Sequence, residues 1–499
     1  MELELKHQVL EGYRPVYRAM LGQEETLESI VPDSFPDMAR IVSATGTACL
    51  KEKEAGAGTV RLTGGISVTI LYIPETEEQV RSLRVMIPFQ CVKDCPHISE
   101  NTLVQATVSV ASSDARILNP RKLLVRSSVR CAISAYKKEK RELTCDAVCQ
   151  DNCLEKQFSQ HSCYLISEIV EKPFLFSDVL RQAAAKPVME ELLLHRAELG
   201  TLDGKVIGKK LVCKGEILLS VLYRSGISVV PARFELPYSQ IIELTNEGEE
   251  DVPELALVLK NVDCQLRDGE LEVSVEALVQ SSIWTQRPVT VMSDVYCTSC
   301  TLEVERNPHE CYTKAEHGVR RETARQFCPS GIPGKQVLDC CTAVGSIGQE
   351  GQNCSAELNV DILYLSEDNA LCGVSYTIPV TCEVPMPENG TCQCMCRPFG
   401  ESSAVPVTGG LEVRAGVEFS WTMTQEENVL CVTAVKGGAE MRGDAVRPSV
   451  VIRRVGDNES LWEIAKSCGS TIKDICTANA LLSESVPNGT VLLIPVKKA

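Results

Sequence analysis

The sequence predicts a mainly β protein, built of tandem repeat domains and followed by a small α+β domain. Long stretches alternate apolar and polar residues with a period of two, which is typical of strands with one buried face. One such stretch occurs three times and ends in a tyrosine at positions 72, 223 and 364, so the spacings are 151 and 141 residues. This spacing is too long for a solenoid repeat and fits tandem domains.

The repeated stretch covers residues 59–72, 210–223 and 354–364. A small residue lies eight positions before each tyrosine, and small residues within a strand mark bends, bulges or close approach of the backbone. A proline follows each tyrosine by 14–16 residues and marks a strand edge, and a second alternating strand comes later. The small residues are Gly64, Gly215 and Ala356, the prolines are Pro88, Pro237 and Pro379, and the second strands cover residues 123–133, 271–279 and 411–421.

These landmarks predict three β-rich units at residues 30–140, 180–290 and 335–437. The segments between the units, 141–179 and 291–334, are rich in Cys, Lys and Glu. Helical pieces are expected within 176–185 and 192–199, because FSDVLRQAAA and LLLHRAEL have a helical composition.

The net charge and the composition limit the binding partners and the cellular compartment that we expect. The formal net charge of −17 argues against nucleic acid or an anionic membrane as the main partner, because both require a basic surface. The sequence shows no signal peptide and no run of about 18 apolar residues, so we expect no export and no transmembrane helix. We therefore expect the 25 cysteines to be mostly reduced thiols.

The last fifty residues predict a fourth domain with the order strand, helix, helix, strand. Asn458 is the predicted N-cap of a helix over 459–468, and Gly469 is its predicted C-cap. The first strand covers 450–453, the second helix follows Ser470 or Thr471, and the closing strand covers 491–495.

This tail, residues 449–497, resembles a LysM domain. The motif residues that match are Gly456, Asp457, Leu461, Trp462, Ile464, Ala465, Asn479, Pro487, Gly489, Leu492, Ile494 and Pro495. The resemblance implies a binding groove between the first loop and the loop after the second helix. The expected groove residues are Asp457, Asn458, Glu459, Ser460, Trp462, Leu481, Leu482 and Ser483.

LysM families commonly bind N-acetylglucosamine polymers, so the resemblance implies peptidoglycan as one possible partner. Two observations weaken that interpretation. The chain shows no export signal, and the second groove segment carries Leu481 and Leu482 but no added aromatic residue for stacking on a sugar. For Trp462, packing in the domain core is the alternative to a place in the groove.

The repeat units resemble the SPOCS domain of spore-forming Firmicutes, and the third is the most divergent. Tandem SPOCS-like units followed by a LysM-like tail resemble the clostridial SipL-type family of spore coat morphogenesis proteins. The resemblance implies a non-enzymatic protein that acts in the mother-cell cytoplasm, at the forespore surface and in the spore coat. It would dock through its tail onto a SpoIVA-like coat ATPase, and self-association is a further expectation. The alternative is a peptidoglycan-binding protein of the cortex or cell wall.

We expect no enzyme activity and no cofactor, because the sequence has no phosphate-binding loop, zinc-protease motif or nucleophile elbow. Clustered cysteines leave three alternatives open: packed thiols, a metal site, or crosslinking between chains. Cys145, Cys149 and Cys153 would share one face of a helix, and residues 392–396 place three cysteines on one strand face. Cys297 and Cys300 form a single CxxC pair without an obvious second half. No metal is expected at any of them.

Overall fold

The computed structural model describes residues 3–149, 153–182, 186–248, 250–387, 390–440 and 448–496. Within these ranges the chain forms strands almost throughout and two short helices near the C-terminus, which confirms the prediction of a mainly β protein. Residue 497, the last position of the predicted C-terminal domain, lies outside the described residues.

The first unit consists of two three-stranded layers packed face to face. Its strands are β1 (Leu3–Ile30), β2 (Met38–Gly56), β3 (Thr59–Pro74), β4 (Arg81–Asp94), β5 (Leu103–Asn119) and β6 (Lys122–Cys149). One layer has the order β2-β3-β4, and the other has the order β1-β6-β5. All pairs are antiparallel, and the apolar core between the layers draws residues from both.

The second unit has the same strand order. Its strands are β7 (Leu154–Leu180), β8 (Glu191–Ile207), β9 (Lys210–Ser225), β10 (Ser228–Glu243), β11 (Val252–Arg267) and β12 (Glu270–Cys297). The layer β8-β9-β10 faces the layer β7-β12-β11 across a second core.

The third unit differs in one layer. Its strands are β13 (Cys300–Pro329), β14 (Gly334–Glu350), β15 (Asn353–Ser366), β16 (Leu371–Glu383), β17 (Gly390–Pro398), β18 (Ser403–Val407) and β19 (Gly410–Glu440). Two short strands, β17 and β18, both pair with β19, where the other units have one continuous strand. The layer β14-β15-β16 covers the third core.

The period-two pattern correctly predicted the buried faces of β3, β9 and β15. Every apolar residue assigned to these faces is at most 2% exposed. Two residues before its end each strand carries a buried tyrosine, whose hydroxyl donates to a backbone carbonyl in the segment that precedes the layer. The three hydrogen bonds are Tyr72 to Pro36 at 3.3 Å, Tyr223 to Pro187 at 3.0 Å, and Tyr364 to Ile332 at 3.1 Å.

The predicted helical pieces are wrong. Residues 192–199 belong to β8, which pairs with β9, and residues 176–180 end β7, which pairs with β12. Helix propensity is a weak preference that tertiary contacts override. Here each segment is paired with a neighbouring strand of its layer. Residues 183–185 of the second predicted piece lie outside the described part of the chain.

The segments expected between the units are long strands that extend beyond the layers. In each unit the first and last strands run antiparallel over their whole length and form a two-stranded ribbon: β1 with β6, β7 with β12, and β13 with β19. A β-bulge interrupts each ribbon at a similar place, at Val16, Ser167 and Thr313. Bulges bend strands, and near these positions single backbone bridges join β1 to β7 and β7 to β13.

Beyond the bulges the three ribbons pack on one another. One buried cluster combines Leu143 of the first ribbon, Val291 of the second and Cys431 of the third, and a further cluster again draws on all three. Cys145 and Cys149 lie on β6 here, so the shared helical face considered for the first cysteine group does not form. Burial of these apolar side chains holds the ribbons together.

The C-terminal module follows the third unit. It consists of β20 (Val450–Arg454), α1 (Leu461–Cys468), α2 (Ile472–Ala478) and β21 (Val491–Pro495), with β20 and β21 paired antiparallel. Its small core contains Ile464, Ile475 and Ile494, all fully buried.

Candidate functional site

The first helix of the C-terminal module begins two residues later than the predicted N-cap Asn458 implied. Ser460 is the N-cap: its hydroxyl accepts from the Glu463 backbone N–H, and the Glu463 carboxylate accepts in return from the Ser460 N–H at 2.9 Å. This reciprocal pair is a capping box. Asn458 instead adopts a left-handed conformation, with φ of 59°, in the loop before the helix. Gly469 ends α1 as predicted, with φ of 66°, and Thr471 caps α2.

Asn479 joins the second helix to the closing strand. Its side-chain amide donates to the carbonyl oxygens of Ile475 and Leu493 at 2.8 and 2.6 Å, and its side-chain oxygen accepts from the Leu493 N–H at 2.7 Å. These bonds fix the start of the loop that precedes Leu481. The motif asparagine therefore has a structural role here.

The first loop is fixed by polar contacts on both sides. The Glu459 carboxylate accepts from the Gly456 N–H at 3.1 Å and pairs with Arg453 of β20. The Asn488 side chain donates to the Asp457 carboxylate at 3.3 Å, which connects this loop to the turn before β21. These contacts restrain the loop.

Trp462 lies against the second ribbon, and its indole is 8% exposed. Its Nε1 donates to Oδ2 of Asp294 on β12 at 2.8 Å, and its ring meets that of Tyr296 edge to face, with the centroids 4.9 Å apart. A groove ligand therefore cannot stack on this indole while the module stays on the ribbon. The structure places Trp462 apart from the exposed loop residues of the predicted groove.

Two more contacts hold α1 and its C-terminal end on β12. The Lys466 ammonium donates to both Asp294 carboxylate oxygens at 2.8 and 2.7 Å, and the Tyr296 hydroxyl donates to the Ser470 carbonyl at 2.8 Å. Burial of Asp294 favours its neutral form, but the hydrogen bonds from Lys466 and Trp462 outweigh burial and lower the pKa of this carboxyl. Asp294 is therefore the ionised anchor of the module.

The remaining groove residues face solvent to different degrees. Asp457, Asn458, Ser460 and Ser483 are exposed, and Glu459 and Leu481 are half-buried. Leu482 is fully exposed, at 105% of the reference area. The two loops therefore present a surface with an exposed apolar side chain, while α1 is covered by the second ribbon.

Sequence reasoning missed Asp294, Tyr296 and Lys466. No motif marks them, because the contact joins residues about 170 positions apart. Period-two alternation across 289–297 would have placed Val291 and Val295 inward, but it carries no information about which element covers Asp294.

The cysteine groups do not assemble a metal site in the part of the chain that the structure describes, where no three His, Cys, Asp or Glu side chains converge in the required way. Cys392, Cys394 and Cys396 lie on β17, as their alternation predicted. Cys394 belongs to the third core, and its neighbours on that face pack against the same core.

A protein-family model matches two segments of the chain. Residues 37–118 and 189–267 match the family described as SipL, SPOCS domain. Two segments of this chain are similar to the SPOCS domain. They cover β2 to most of β5 in the first unit and β8 to β11 in the second, and they leave out the ribbons beyond the bulges. This likeness supports a role in sporulation.

The third unit and the C-terminal module lie outside the matched segments. No curated protein and no solved structure matches the chain. Neither helix of the C-terminal module, nor any other helix in the described ranges, is long and apolar enough to cross a membrane.

Proposed function

We propose that this chain is a non-enzymatic assembly protein of the spore envelope, which docks through its C-terminal module onto a SpoIVA-like coat ATPase at the forespore surface. The likeness of two segments to the SPOCS domain supports the sporulation setting. The three units and the ribbons form the body that carries the module. In this proposal the third unit is a divergent SPOCS-like unit, and the module, over 449–497, is a LysM domain.

The observation that carries the proposal is the orientation of the module. Helix α1 is fixed to β12 through Trp462 and Lys466, so the loops at 457–460 and 481–485 are the part of the predicted groove left open. Leu482 in the second loop is fully exposed. Exposure of a large apolar side chain to water is unfavourable. A partner that buries the side chain gains about 1.5–3 kcal/mol of binding free energy.

A protein partner fits this surface better than a glycan. Glycan binding in such a groove benefits from an aromatic ring that stacks on the sugar, but the two open loops contain none, and Trp462 is buried on the body. The exposed carboxylate of Asp457 and the apolar Leu482 are suited to a protein surface that offers a basic residue beside an apolar pocket.

The test is a pull-down of the purified coat ATPase by the full chain and by the Leu482→Glu variant. Because Leu482 makes no buried contact, the variant should fold normally and lose binding by about tenfold or more. Ile227→Glu is the matched control, since Ile227 is also highly exposed, at 87%, but lies in a turn of the second unit. Equal binding by wild type and Leu482→Glu would contradict docking through this loop.

Pelleting with purified peptidoglycan separates the two candidate partners. The proposal predicts that the full chain stays in the supernatant. Retention on peptidoglycan that Leu482→Glu abolishes and Ile227→Glu leaves unchanged would instead assign the same loops to glycan binding.

A further inference from the structure

Two cysteines meet at the end of the second ribbon. Cys153 directly precedes β7, and Cys297 is the last residue of β12, so they lie 144 positions apart in the chain. Their sulphur atoms are 3.1 Å apart. The backbone agrees with this approach, because Thr298 N–H donates to the Cys153 carbonyl at 3.1 Å and Cys297 pairs with Leu154 in the ladder.

The surroundings of Cys297 stabilise a thiolate. Its sulphur lies 3.4 Å from the Ser299 N–H and 3.2 Å from the Ser299 hydroxyl, and both can donate to it. Burial opposes ionisation of Cys297, but these donors and the neighbouring Cys153 and Cys300 thiols lower its pKa to about 7. Burial and the nearby thiol raise the pKa of Cys153. One sulphur is therefore ready to act as a nucleophile beside a protonated partner.

We propose that Cys153 and Cys297 are a redox modification site that forms a reversible disulfide by exchange with a low-molecular-weight disulfide. The Cys297 thiolate attacks one sulphur of the small disulfide, so that a mixed disulfide forms on Cys297 and the first small thiolate leaves. The first small thiolate takes the proton of the half-buried Cys153, and the Cys153 thiolate then attacks the Cys297 sulphur and releases the second small thiolate. One proton moves from Cys153 to the first small thiolate, and the second small thiolate leaves with the negative charge that Cys297 carried, so two cysteines are oxidised and one small disulfide is reduced to one thiol and one thiolate.

The bond would close a loop around the whole second unit. A disulfide is about 2.05 Å long, so the two sulphurs need to approach by only about 1 Å. A crosslink across a loop of this length restricts the unfolded chain strongly. Tyr296, which carries the Ser470 contact to the C-terminal module, is the residue next to Cys297. In the oxidised protein the end of the second ribbon, and with it the part of β12 that contacts the C-terminal module, should therefore be held more firmly than in the reduced protein.

The test incubates the reduced full-length protein with oxidised glutathione, blocks free thiols in acid, and maps linked peptides by mass spectrometry. We expect a Cys153–Cys297 crosslink, a mass loss of two hydrogens relative to the reduced protein, and a higher midpoint of thermal unfolding. The crosslinking rate should rise between about pH 6 and pH 8, because only thiolates attack disulfides.

Mapping in the wild type needs no variant, so misfolding of a mutant cannot imitate the result. Cys153→Ser should abolish the link, and Cys145→Ser, which removes a nearby thiol of the same segment, should leave it intact. Three outcomes would overturn the proposal: both thiols remain free while a control dithiol is fully oxidised, Cys153 or Cys297 links instead to Cys149 or Cys300, or metal analysis finds a bound zinc ion that protects these cysteines from blocking.

Discussion

The indole Nε1 of Trp462 donates a 2.8 Å hydrogen bond to Oδ2 of Asp294, and this bond connects the C-terminal module to the second ribbon. The same carboxylate receives the Lys466 ammonium, so one ionised side chain holds two groups of α1. The module is thus oriented by the body, and its open loops are presented in a fixed direction. Orientation of this kind lowers the entropy lost when a partner binds.

Acid should release the module from the ribbon. The pKa of Asp294 is lowered in the folded protein, because hydrogen bonds from Lys466 and Trp462 outweigh the effect of burial. A carboxyl with a lowered pKa stabilises the folded state above its unfolded pKa of about 3.9, and this contribution is lost as the pH falls through the folded value. We expect the environment of Trp462 to change below about pH 4, which an acid titration of its fluorescence measures.

The control for this titration is Asp294→Asn, which keeps the shape but removes the charge. Its module should be loosened at neutral pH and show no acid transition at Trp462. Because the chain has three tryptophans, Trp284→Phe and Trp421→Phe are introduced in every sample. An unchanged acid transition in Asp294→Asn would show that another group causes it.

The three tyrosine hydrogen bonds should contribute similarly to their units. Replacing Tyr72, Tyr223 or Tyr364 by Phe removes one hydroxyl and its hydrogen bond to a backbone carbonyl, so each variant should lose about 1 kcal/mol in the free energy of unfolding. Urea denaturation measures this loss. Tyr238→Phe is the control, because within the described residues its buried hydroxyl has no hydrogen-bond partner and its removal should cost nothing. A large loss for Tyr238→Phe would contradict this assignment.

A buried ion pair connects the second and third units. Arg196 of β8 donates to Asp339 of β14 at 2.7 and 3.2 Å, and its side chain is 5% exposed. Asp339→Ala removes the bidentate partner of this buried charge and leaves it the ion pair with Glu198, so the free energy of unfolding should fall by about 3 kcal/mol. The double replacement of Arg196 by Met and Asp339 by Leu should recover most of this loss in the same denaturation assay. A double variant as unstable as the single one would show that the charge is not the cause.

Gly64 should tolerate no side chain. A Cβ atom there would lie 2.4 Å from the Cys49 carbonyl oxygen and 2.4 Å from the Phe89 ring. Gly64→Ala should therefore lower the free energy of unfolding by about 1–3 kcal/mol through overpacking. Gly22→Ala in β1 is the control, because its Cβ meets nothing within 4 Å and should leave stability unchanged or slightly higher. Equal stability of the two variants would contradict the close approach.

Local patterns predicted the buried faces of the units well, because a strand face is determined by alternation within a few residues. Tyr72, Tyr223 and Tyr364 were therefore assigned to buried positions correctly. The ribbons were missed because the pairing of Leu3 with Cys149 joins distant parts of the chain, and nothing local records it. Residues 192–199 have a helical composition, but they form a strand because they pair with a neighbouring strand.

The candidate site was only partly predictable for the same reason. Motif spacing identified the loop residues around Asp457 and Leu482, but it could not indicate that Trp462 turns towards Asp294. That contact depends on how the module lies on the ribbon.

Hydrogen–deuterium exchange of the full chain, with and without the coat ATPase, tests the central claim most directly. We predict slower exchange at residues 457–460 and 481–485 in the complex, and unchanged exchange in α1, because Trp462 and Lys466 already hold that helix on β12. Protection confined to the three units, or faster exchange in α1 on binding, would contradict docking through the open loops.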